Sequence, residues 1–152
     1  MGGEVVIKRL YDYELVIGTM NDMWDDISED GVDVYTPDLL GEIWLGCFVD
    51  DTYVGMFRFH NKTSQCLECH VFMLKEHRAN SFGCGIAAKE WIFENTEAKK
   101  LMVNIPEIFP NVIDYVVNLG FKQEGYSENM YLKNGNVCGM FYYGLYRGLD
   151  YA

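Results

Sequence analysis

The chain has 152 residues, 49% of them hydrophobic and 15% aromatic, a composition that excludes a disordered protein and suffices for one sizeable core. A net charge of −11 and a pI near 4.5 argue against binding to nucleic acid or an anionic membrane, and favour cationic partners such as amines or basic protein segments. Because the sequence shows neither a membrane-spanning apolar run nor a signal-peptide pattern, we expect a cytoplasmic protein.

The first third of the chain predicts one strand and two helices. Glu4 to Leu10 is a strand, and Tyr13 to Trp24 has apolar residues at helical spacing behind Asp12, a typical N-cap. The acidic stretch from Asp25 to Asp33 is a predicted loop. Thr36-Pro37-Asp38 then predicts a short second helix through Leu40.

Three successive apolar segments joined by short polar turns follow. They span Ile43 to Val49, Tyr53 to His60, and Leu67 to Leu74. Short turns between strands favour an antiparallel meander. We therefore predict that these segments form neighbouring antiparallel strands.

A glycine-rich segment links the third of these strands to a helix. Lys75 to Gly85 is a predicted polar loop that ends in Gly83-Cys84-Gly85, and the helix begins at Ile86 and ends near Asn95. Free N–H groups at a helix start, next to glycines that permit close approach, suit a phosphate-like anion. The pattern predicts a pyrophosphate site, with an ordinary strand-to-helix turn as the alternative.

The last third predicts a strand, a helix and a hairpin. Lys100 to Val103 is a strand, Val112 to Leu119 is a helix ended by Gly120, and Asn134-Gly135 is a type I′ turn signal between two long strands. The whole order predicts a single domain over residues 1–152 of the α/β (α+β) class. It has a mixed, mostly antiparallel sheet of about six or seven strands with helices on both faces.

The five cysteines are expected to be free thiols, because an odd number without a secretion signal is not typical of a disulfide framework. Cys66-Leu-Glu-Cys69-His70 has the spacing of a haem-attachment motif. In a strand, however, Cys66 and Cys69 point to opposite faces, and no second CxxC occurs. We therefore expect neither haem nor a metal site.

The order of elements and three local motifs resemble the GCN5-related N-acetyltransferase (GNAT) superfamily over nearly the whole chain. Asn80-Ser81-Phe82-Gly83-Cys84-Gly85 occupies the slot of the family's Arg/Gln-x-x-Gly-x-Gly/Ala motif. Asn118-Leu119-Gly120-Phe121-Lys122-Gln123-Glu124-Gly125 is similar to its helix-to-strand passage. The tail around Tyr143-Gly144-Leu145-Tyr146-Arg147 resembles the ribosomal-protein and spermidine acetyltransferase branch.

This resemblance implies an acyl-CoA N-acyltransferase-like fold and transfer of an acetyl group from acetyl-CoA, the co-substrate, to a primary amine. It also implies that the pantetheine arm lies along the strand from Val71 to Leu74 and the pyrophosphate lies near Ser81 to Ile86. The cofactor residues implied are Val71, Met73, Leu74, Arg78, Asn80, Ser81, Phe82, Gly83, Cys84, Gly85, Ile86, Asn104 and Asn111.

The catalytic residues implied are a base and an acid. Glu68 and His70 share one face of a predicted strand where the family often keeps its base, and Tyr115 is the candidate acid. The chain departs from the family at Asn80, where arginine or glutamine is usual, and at Val116, where the family's tyrosine is usual.

These features leave two hypotheses. The first is an N-acetyltransferase acting on a small cationic amine or a protein amine by direct attack on the thioester, and we favour it. The alternative is a catalytically inactive GNAT-like acyl-CoA-binding or assembly protein, such as a bacteriophage accessory or virion-assembly protein. The exposed strand edges and aromatic tail are compatible with a homodimer.

Overall fold

The computed structural model describes residues 3–148, which form one seven-stranded sheet flanked by three α-helices. The strands are β1 (Val5–Arg9), β2 (Ile43–Val49), β3 (Thr52–Asn61), β4 (Cys66–Met73), β5 (Lys100–Pro106), β6 (Lys122–Lys133) and β7 (Asn136–Tyr146). The helices are α1 (Tyr13–Ile27), α2 (Ser81–Asn95) and α3 (Pro110–Asn118), and Lys75–Asn80 is a 3₁₀ helix that leads into α2. Within residues 3–148, no helix combines the length and the apolar character needed to cross a membrane.

The sheet confirms the predicted mixed, mostly antiparallel class. Its strand order is β1-β2-β3-β4-β5-β7-β6, and every neighbouring pair is antiparallel except β4 and β5. The parallel pairing of β4 with β5 lasts for only three positions, from Cys66 opposite Lys100 to Glu68 opposite Met102. Beyond Glu68 the two strands separate, which leaves one edge of β4 without a strand partner.

Hydrophobic side chains form a core on each face of the sheet. Trp44 and Phe72 pack with Met20 of α1 on one face, whereas Leu45 packs with Ile92 of α2 on the other. Trp44 and Leu45 are adjacent in β2, and successive side chains of a strand point to opposite faces. The prediction of helices on both faces is therefore confirmed.

Local signals set the hairpins and the first helix. Asn134 and Gly135 have positive φ angles of 53° and 79°, and Asp50 and Asp51 have positive φ angles of 49° and 66°. Two consecutive residues with positive φ are typical of the type I′ turn, whose twist matches that of the flanking strands. Asp12 caps α1 as predicted, since its carboxylate accepts a hydrogen bond from the N–H of Leu15 at 3.1 Å.

The predicted short helix from Thr36 to Leu40 is wrong. Residues 32–38 lack regular structure, and a turn follows instead. Asp38 folds back on this turn, where its carboxylate accepts a hydrogen bond from the N–H of Gly41 at 2.9 Å. An aspartate bonded to the backbone just downstream forms an Asx turn, which competes with helix formation.

The predicted polar loop from Lys75 to Gly85 is also wrong. Residues 75–80 are helical, and α2 starts at Ser81, so Gly83 and Gly85 lie inside its first two turns. Glycine is unfavourable inside a helix, which is why the sequence pattern delays the start to Ile86. Packing against α3, described below, accounts for the glycine at position 85.

A disulfide bond joins Cys47 of β2 to Cys84 of α2, with their Cα atoms 6.1 Å apart. Both cysteines are completely buried. The prediction that all cysteines are free thiols is therefore wrong for this pair, and it holds for Cys66, Cys69 and Cys138. The pairing was not evident from sequence, because it depends on how α2 crosses the sheet.

Candidate active site

A cleft of about 900 Å³ opens where β4 and β5 separate. One wall is formed by β4 and β5, including Val71, Met73 and Asn104, and α3 closes one side with Asn111 and Tyr115. The opposite wall is formed by the C-terminal end of α1, from Met23 to Ser28, and by Tyr35. The backbone edge of β4 that β5 does not pair therefore faces a space large enough for an extended ligand.

The N-terminus of α2 lies at one end of this cleft. The first four N–H groups of an α-helix have no partner within the helix. In α2 the N–H of Ser81 donates to the carbonyl of Arg78, and the N–H groups of Phe82 and Gly83 follow in the first turn of the helix. Gly85 comes two residues after Gly83, within the helix.

The chain is open around Gly83. The residue is exposed, and a Cβ atom added there would meet only Val5 Cγ2, at 3.7 Å. Phe82 is also 49% exposed. Two cations, Lys75 and Arg78, line the nearby cleft, and Lys75 pairs with Asp26 at 2.7 Å.

Asn104 presents a buried acceptor in the cleft. Its Oδ1 atom is inaccessible to solvent and has no hydrogen-bond partner within residues 3–148. Buried polar groups are rarely left without a partner, because the loss of water costs roughly 1–3 kcal/mol. The Asn104 amide therefore fits a ligand that brings a hydrogen-bond donor into the cleft.

Tyr115 joins α3 to the start of α2. Its hydroxyl donates a hydrogen bond to the carbonyl of Ser81 at 2.8 Å. Burial raises the pKa of the Tyr115 phenol far above its ordinary value of 10.0. The next residue, Val116, is buried and also lines the cleft, so the tyrosine hydroxyl that the family usually places here is absent.

Glu68, His70 and His60 form a compact cluster across the β3–β4 hairpin. His70 Nε2 lies 3.1 Å from Glu68 Oε2, His60 Nε2 lies 3.4 Å from the same oxygen, and the two Nε2 atoms are 3.0 Å apart. The His70 imidazole holds the pKa of the Glu68 carboxyl below its ordinary value. Burial, followed by the charge of Arg58, lowers the pKa of His60.

The acidic segment after α1 is tied to the β6–β7 hairpin. Asp30 accepts hydrogen bonds from the N–H groups of Asn134 at 3.0 Å and Gly135 at 2.9 Å. Tyr131 donates to the carbonyl of Ile27 at 2.7 Å. The backbone leaving α1, which forms one wall of the cleft, is thus anchored by a distant part of the chain.

The structure brings together about half of the predicted site residues. Those that line the cleft are His70, Val71, Met73, Arg78, Ser81, Asn104, Asn111 and Tyr115. Those outside its lining are Glu68, Leu74, Asn80, Phe82, Gly83, Cys84, Gly85 and Ile86. Glu68 contacts His70 without lining the cleft itself. Cys84 can contribute only its backbone, because its sulfur is bonded to Cys47.

Sequence reasoning missed His60 and the wall formed by α1. His60 ends the predicted strand before β4, and its histidine type was a usable signal because the short turn places it opposite Glu68. The α1 wall had no local signal, since sequence does not fix where a helix end meets a sheet.

The family model for the protein family of unknown function DUF2824 matches residues 15–150. The chain belongs to this family. No curated protein matches the sequence at a significant level.

Solved structures similar to this DUF2824 protein include spermidine N-acetyltransferases and an acetyltransferase of the GNAT family. A mutant of the spermidine N-acetyltransferase SpeG from Vibrio cholerae superposes with a TM-score of 0.78 at 13% identity, covering 93% of each chain. The complex of that spermidine N-acetyltransferase with CoA and spermine gives 0.77 at 13% identity, covering 93% of this chain and 95% of the other. A GNAT-family acetyltransferase from Streptococcus pneumoniae gives 0.77 at 13% identity, covering 95% and 100%. The chain therefore has the GNAT fold.

Proposed function

We propose that the protein is an N-acetyltransferase that transfers an acetyl group from acetyl-CoA to a primary amine. The observation that carries this proposal is the unpaired edge of β4, which runs along a cleft toward the N-terminus of α2 within a GNAT fold. A strand edge offers alternating N–H and C=O groups to an extended ligand. Pantetheine is such a ligand, since its arm contains two amides.

The chain offers partners for the pantetheine arm and the pyrophosphate of the co-substrate. In our proposal the β4 edge from Val71 to Met73 holds the pantetheine amides, and the orphan Oδ1 of Asn104 accepts a hydrogen bond from the bound arm. The pyrophosphate is held by N–H groups at the start of α2, where the helix dipole attracts an anion, and by Arg78. The bound acetyl-CoA supplies the thioester that the amine attacks.

His70 is the proposed proton acceptor for the attacking amine. It lines the cleft, whereas Glu68 is 14% exposed and lies outside the lining. Glu68 Oε2, 3.1 Å from His70 Nε2, stabilises the imidazolium that forms when His70 takes the proton. A carboxylate that supports a histidine in this way plays the role of the acidic member of a catalytic triad.

Tyr115 is the proposed donor to the leaving thiolate. Tyr115 lines the cleft from the middle of α3, and its hydroxyl proton is donated to the carbonyl of Ser81. Protonation of the leaving sulfur therefore requires the phenol to exchange this bond for one to the ligand. Replacing Tyr115 by Phe tests the role, because a donor to the leaving group changes kcat more than it changes the affinity for acetyl-CoA.

The proposed acceptor class is a cationic amine, either a small molecule or a protein amine. The charge of −11 favours the approach of a cation, and a spermidine acetyltransferase of the same fold binds spermine. The α1 wall of the cleft carries Asp26, a carboxylate that a second ammonium group of a polyamine would contact in place of Lys75.

A second candidate function is an acyl-CoA-binding or assembly protein without transferase activity. Val116 occupies the position where GNAT acetyltransferases usually have a tyrosine. The hydroxyl of the adjacent Tyr115 is hydrogen-bonded to the carbonyl of Ser81. These observations favour a protein that retains the cleft for the ligand but lacks a general acid to protonate the leaving thiolate.

Calorimetric titration of acetyl-CoA into the purified protein, with CoA and ATP as comparisons, separates the candidates. We expect micromolar affinity selective for acetyl-CoA, followed by acetylation of a polyamine or a lysine-containing peptide in an amine screen. His70→Gln should then lower kcat and leave acetyl-CoA binding unchanged. Binding without turnover of any amine would support an acyl-CoA-binding protein. The absence of binding at millimolar ligand would refute both the transferase and the acyl-CoA-binding protein, and would leave an assembly role that depends on protein partners.

A further inference from the structure

We propose that His60, Glu68 and His70 form a binding site for a divalent transition-metal ion, with Zn²⁺ as the ion that the ligand types favour. Among residues 3–148, these side chains are the one group of three histidine, cysteine or acidic residues close enough to share an ion. Two imidazoles and a carboxylate are a ligand set used by catalytic zinc sites. No metal site was expected from the sequence, in which the Cys66-to-His70 motif was the candidate with ligand-like spacing.

The spacing of the three ligand atoms matches a tetrahedral ion. Ligands at ~2.0–2.1 Å from a tetrahedral Zn²⁺ lie ~3.3–3.4 Å from one another. The two Nε2 atoms and Glu68 Oε2 form a triangle with sides of 3.0, 3.1 and 3.4 Å. An ion just above the plane of this triangle reaches all three atoms with small adjustments.

Hydrogen bonding between neutral imidazoles and the carboxylate cannot satisfy this triangle. With a proton on one Nε2, the other nitrogen and the carboxylate face each other as two acceptors. With a proton on both Nε2 atoms, two N–H donors face each other over 3.0 Å. With a proton on neither, all three atoms are acceptors. A metal cation satisfies all three contacts at once, because each atom then directs a lone pair at it.

The β3–β4 hairpin holds the ligands in place before any ion binds. His60 lies directly opposite Glu68, and His70 lies opposite Arg58, so the three side chains share one face of two paired strands. Cross-strand neighbours on one face are close in space. Metal binding therefore requires little ordering of the chain.

The charges around the cluster permit a cation. Arg58 is engaged by both carboxylate oxygens of Glu42, at 3.0 and 2.6 Å. Lys62 is 3.9 Å from the other oxygen of Glu68, and its side chain is 54% exposed, so it is free to move away when the ion enters.

We expect the remaining coordination position to face the cleft. His70 lines the cleft and is 37% exposed, whereas Glu68 lies deeper. Three protein ligands with one open position are typical of catalytic or regulatory zinc sites rather than closed structural ones. Because Glu68 faces Nε2, the substrate proton would be taken by the other ring nitrogen, Nδ1. A metal cation on Nε2 opposes protonation of the same ring, so we expect Zn²⁺ to inhibit acetyl transfer if the proposed function holds.

The test is metal binding by the full-length, tag-free protein, and it does not depend on transferase activity. Zn²⁺ is titrated against a chromophoric chelator, and the visible absorption of the Co²⁺ protein reports the coordination geometry. His60→Ala, Glu68→Gln and His70→Ala remove one ligand each. His77→Ala, which removes the remaining histidine, and Cys66→Ser are the matched controls. Circular dichroism shows whether each variant folds.

We expect one Zn²⁺ per chain, with an affinity that falls by roughly 10-fold or more in each ligand variant and is unchanged in both controls. X-ray absorption of the wild-type Zn²⁺ protein needs no variant, and it should show nitrogen and oxygen at ~2.0–2.1 Å without sulfur at ~2.3 Å. No saturable binding, sulfur in the first shell, or affinity retained in both His60→Ala and His70→Ala would overturn the proposal. Zn²⁺ binding by a protein that transfers no acetyl group even when metal-free would refute the proposed function and leave the metal site standing.

Discussion

The hydroxyl of Tyr115 donates a hydrogen bond to the carbonyl of Ser81 at 2.8 Å and thereby links the middle of α3 to the first residue of α2. The phenol reaches this carbonyl by passing over Gly85. A Cβ atom at Gly85 would lie 2.3 Å from the Tyr115 hydroxyl and 2.8 Å from Leu119 Cδ1. The glycine is therefore required by the contact between the two helices.

This contact predicts that alanine substitution destabilises the protein at Gly85 but not at Gly83. Gly85→Ala should lower the free energy of unfolding by about 1–3 kcal/mol, because Tyr115 or Leu119 must move. Gly83→Ala is the matched control, and it should be neutral or slightly stabilising, since nothing lies closer than 3.7 Å and alanine favours helix. Urea denaturation measures both. Equal effects of the two substitutions would show that the helices are packed differently.

Gly83→Asp should abolish acetyl-CoA binding without unfolding the protein. The position is exposed and open, so the fold tolerates a side chain there. A carboxylate in the first turn of α2 would compete for the N–H groups at the start of the helix and repel a pyrophosphate. Calorimetric titration of acetyl-CoA into this variant and into Gly83→Ala separates the effect of the added charge from that of the added side-chain volume. Normal binding by Gly83→Asp would mean that the pyrophosphate lies elsewhere.

Short-range signals made much of the fold predictable. The Asn134-Gly135 turn, the Asp12 cap and the three-strand meander each depend on a few consecutive residues, and each is confirmed. The order of such elements was enough to indicate a mixed sheet with helices on both faces. The same local logic failed at Asp38, where a helix-start signal produces a single turn.

The features that were missed depend on contacts between distant segments. The disulfide joins residues 37 positions apart, and the histidine cluster requires the exact register that places His60 opposite Glu68. A register shifted by one residue would send His60 to the other face of the sheet. The start of α2 was misplaced because helix propensity counts glycine as a cost and contains no information about Tyr115.

The bond between Cys47 and Cys84 predicts the thiol count of the purified protein. Alkylation of the unfolded chain without reductant should modify three cysteines, and mass spectrometry should recover a linked pair containing Cys47 and Cys84. Cys138→Ala is the control, which should lower the count to two and keep the linked pair. Modification of all five cysteines would contradict the bond.

The same bond should contribute to stability. A cross-link that closes a loop of this size stabilises a protein by about 2–4 kcal/mol, mainly by restricting the unfolded chain. Urea denaturation with and without reductant should therefore show a lower midpoint for the reduced protein. The variant Cys47→Ala should show the lower midpoint under both conditions. An unchanged midpoint on complete reduction would exclude a stabilising role.

The hydrogen bonds accepted by the Asp30 carboxylate predict that the protein loses stability at low pH. Hydrogen bonds from the N–H groups of Gly135 and Asn134 hold the pKa of its carboxyl below the ordinary value of 3.8. A carboxyl whose pKa is lowered by folding stabilises the protein fully above the pKa of the unfolded chain, about 4. That contribution declines as the pH falls below this value, and it is gone once the pH has passed the lower pKa of the folded state.

Asp30→Asn should therefore be less stable than the wild type near neutral pH, because one of the two N–H groups loses its acceptor. The gap between their urea midpoints should narrow as the pH is lowered through about 4. Asp33→Asn is the matched control, since none of the hydrogen bonds described within residues 3–148 involves the Asp33 side chain, and its urea midpoint near neutral pH should match that of the wild type. A gap that stays constant with pH would show that Asp30 acts through its shape rather than its charge.

Because Asp30 anchors the segment that follows the α1 wall of the cleft, Asp30→Asn should also weaken binding of an amine acceptor more than binding of acetyl-CoA.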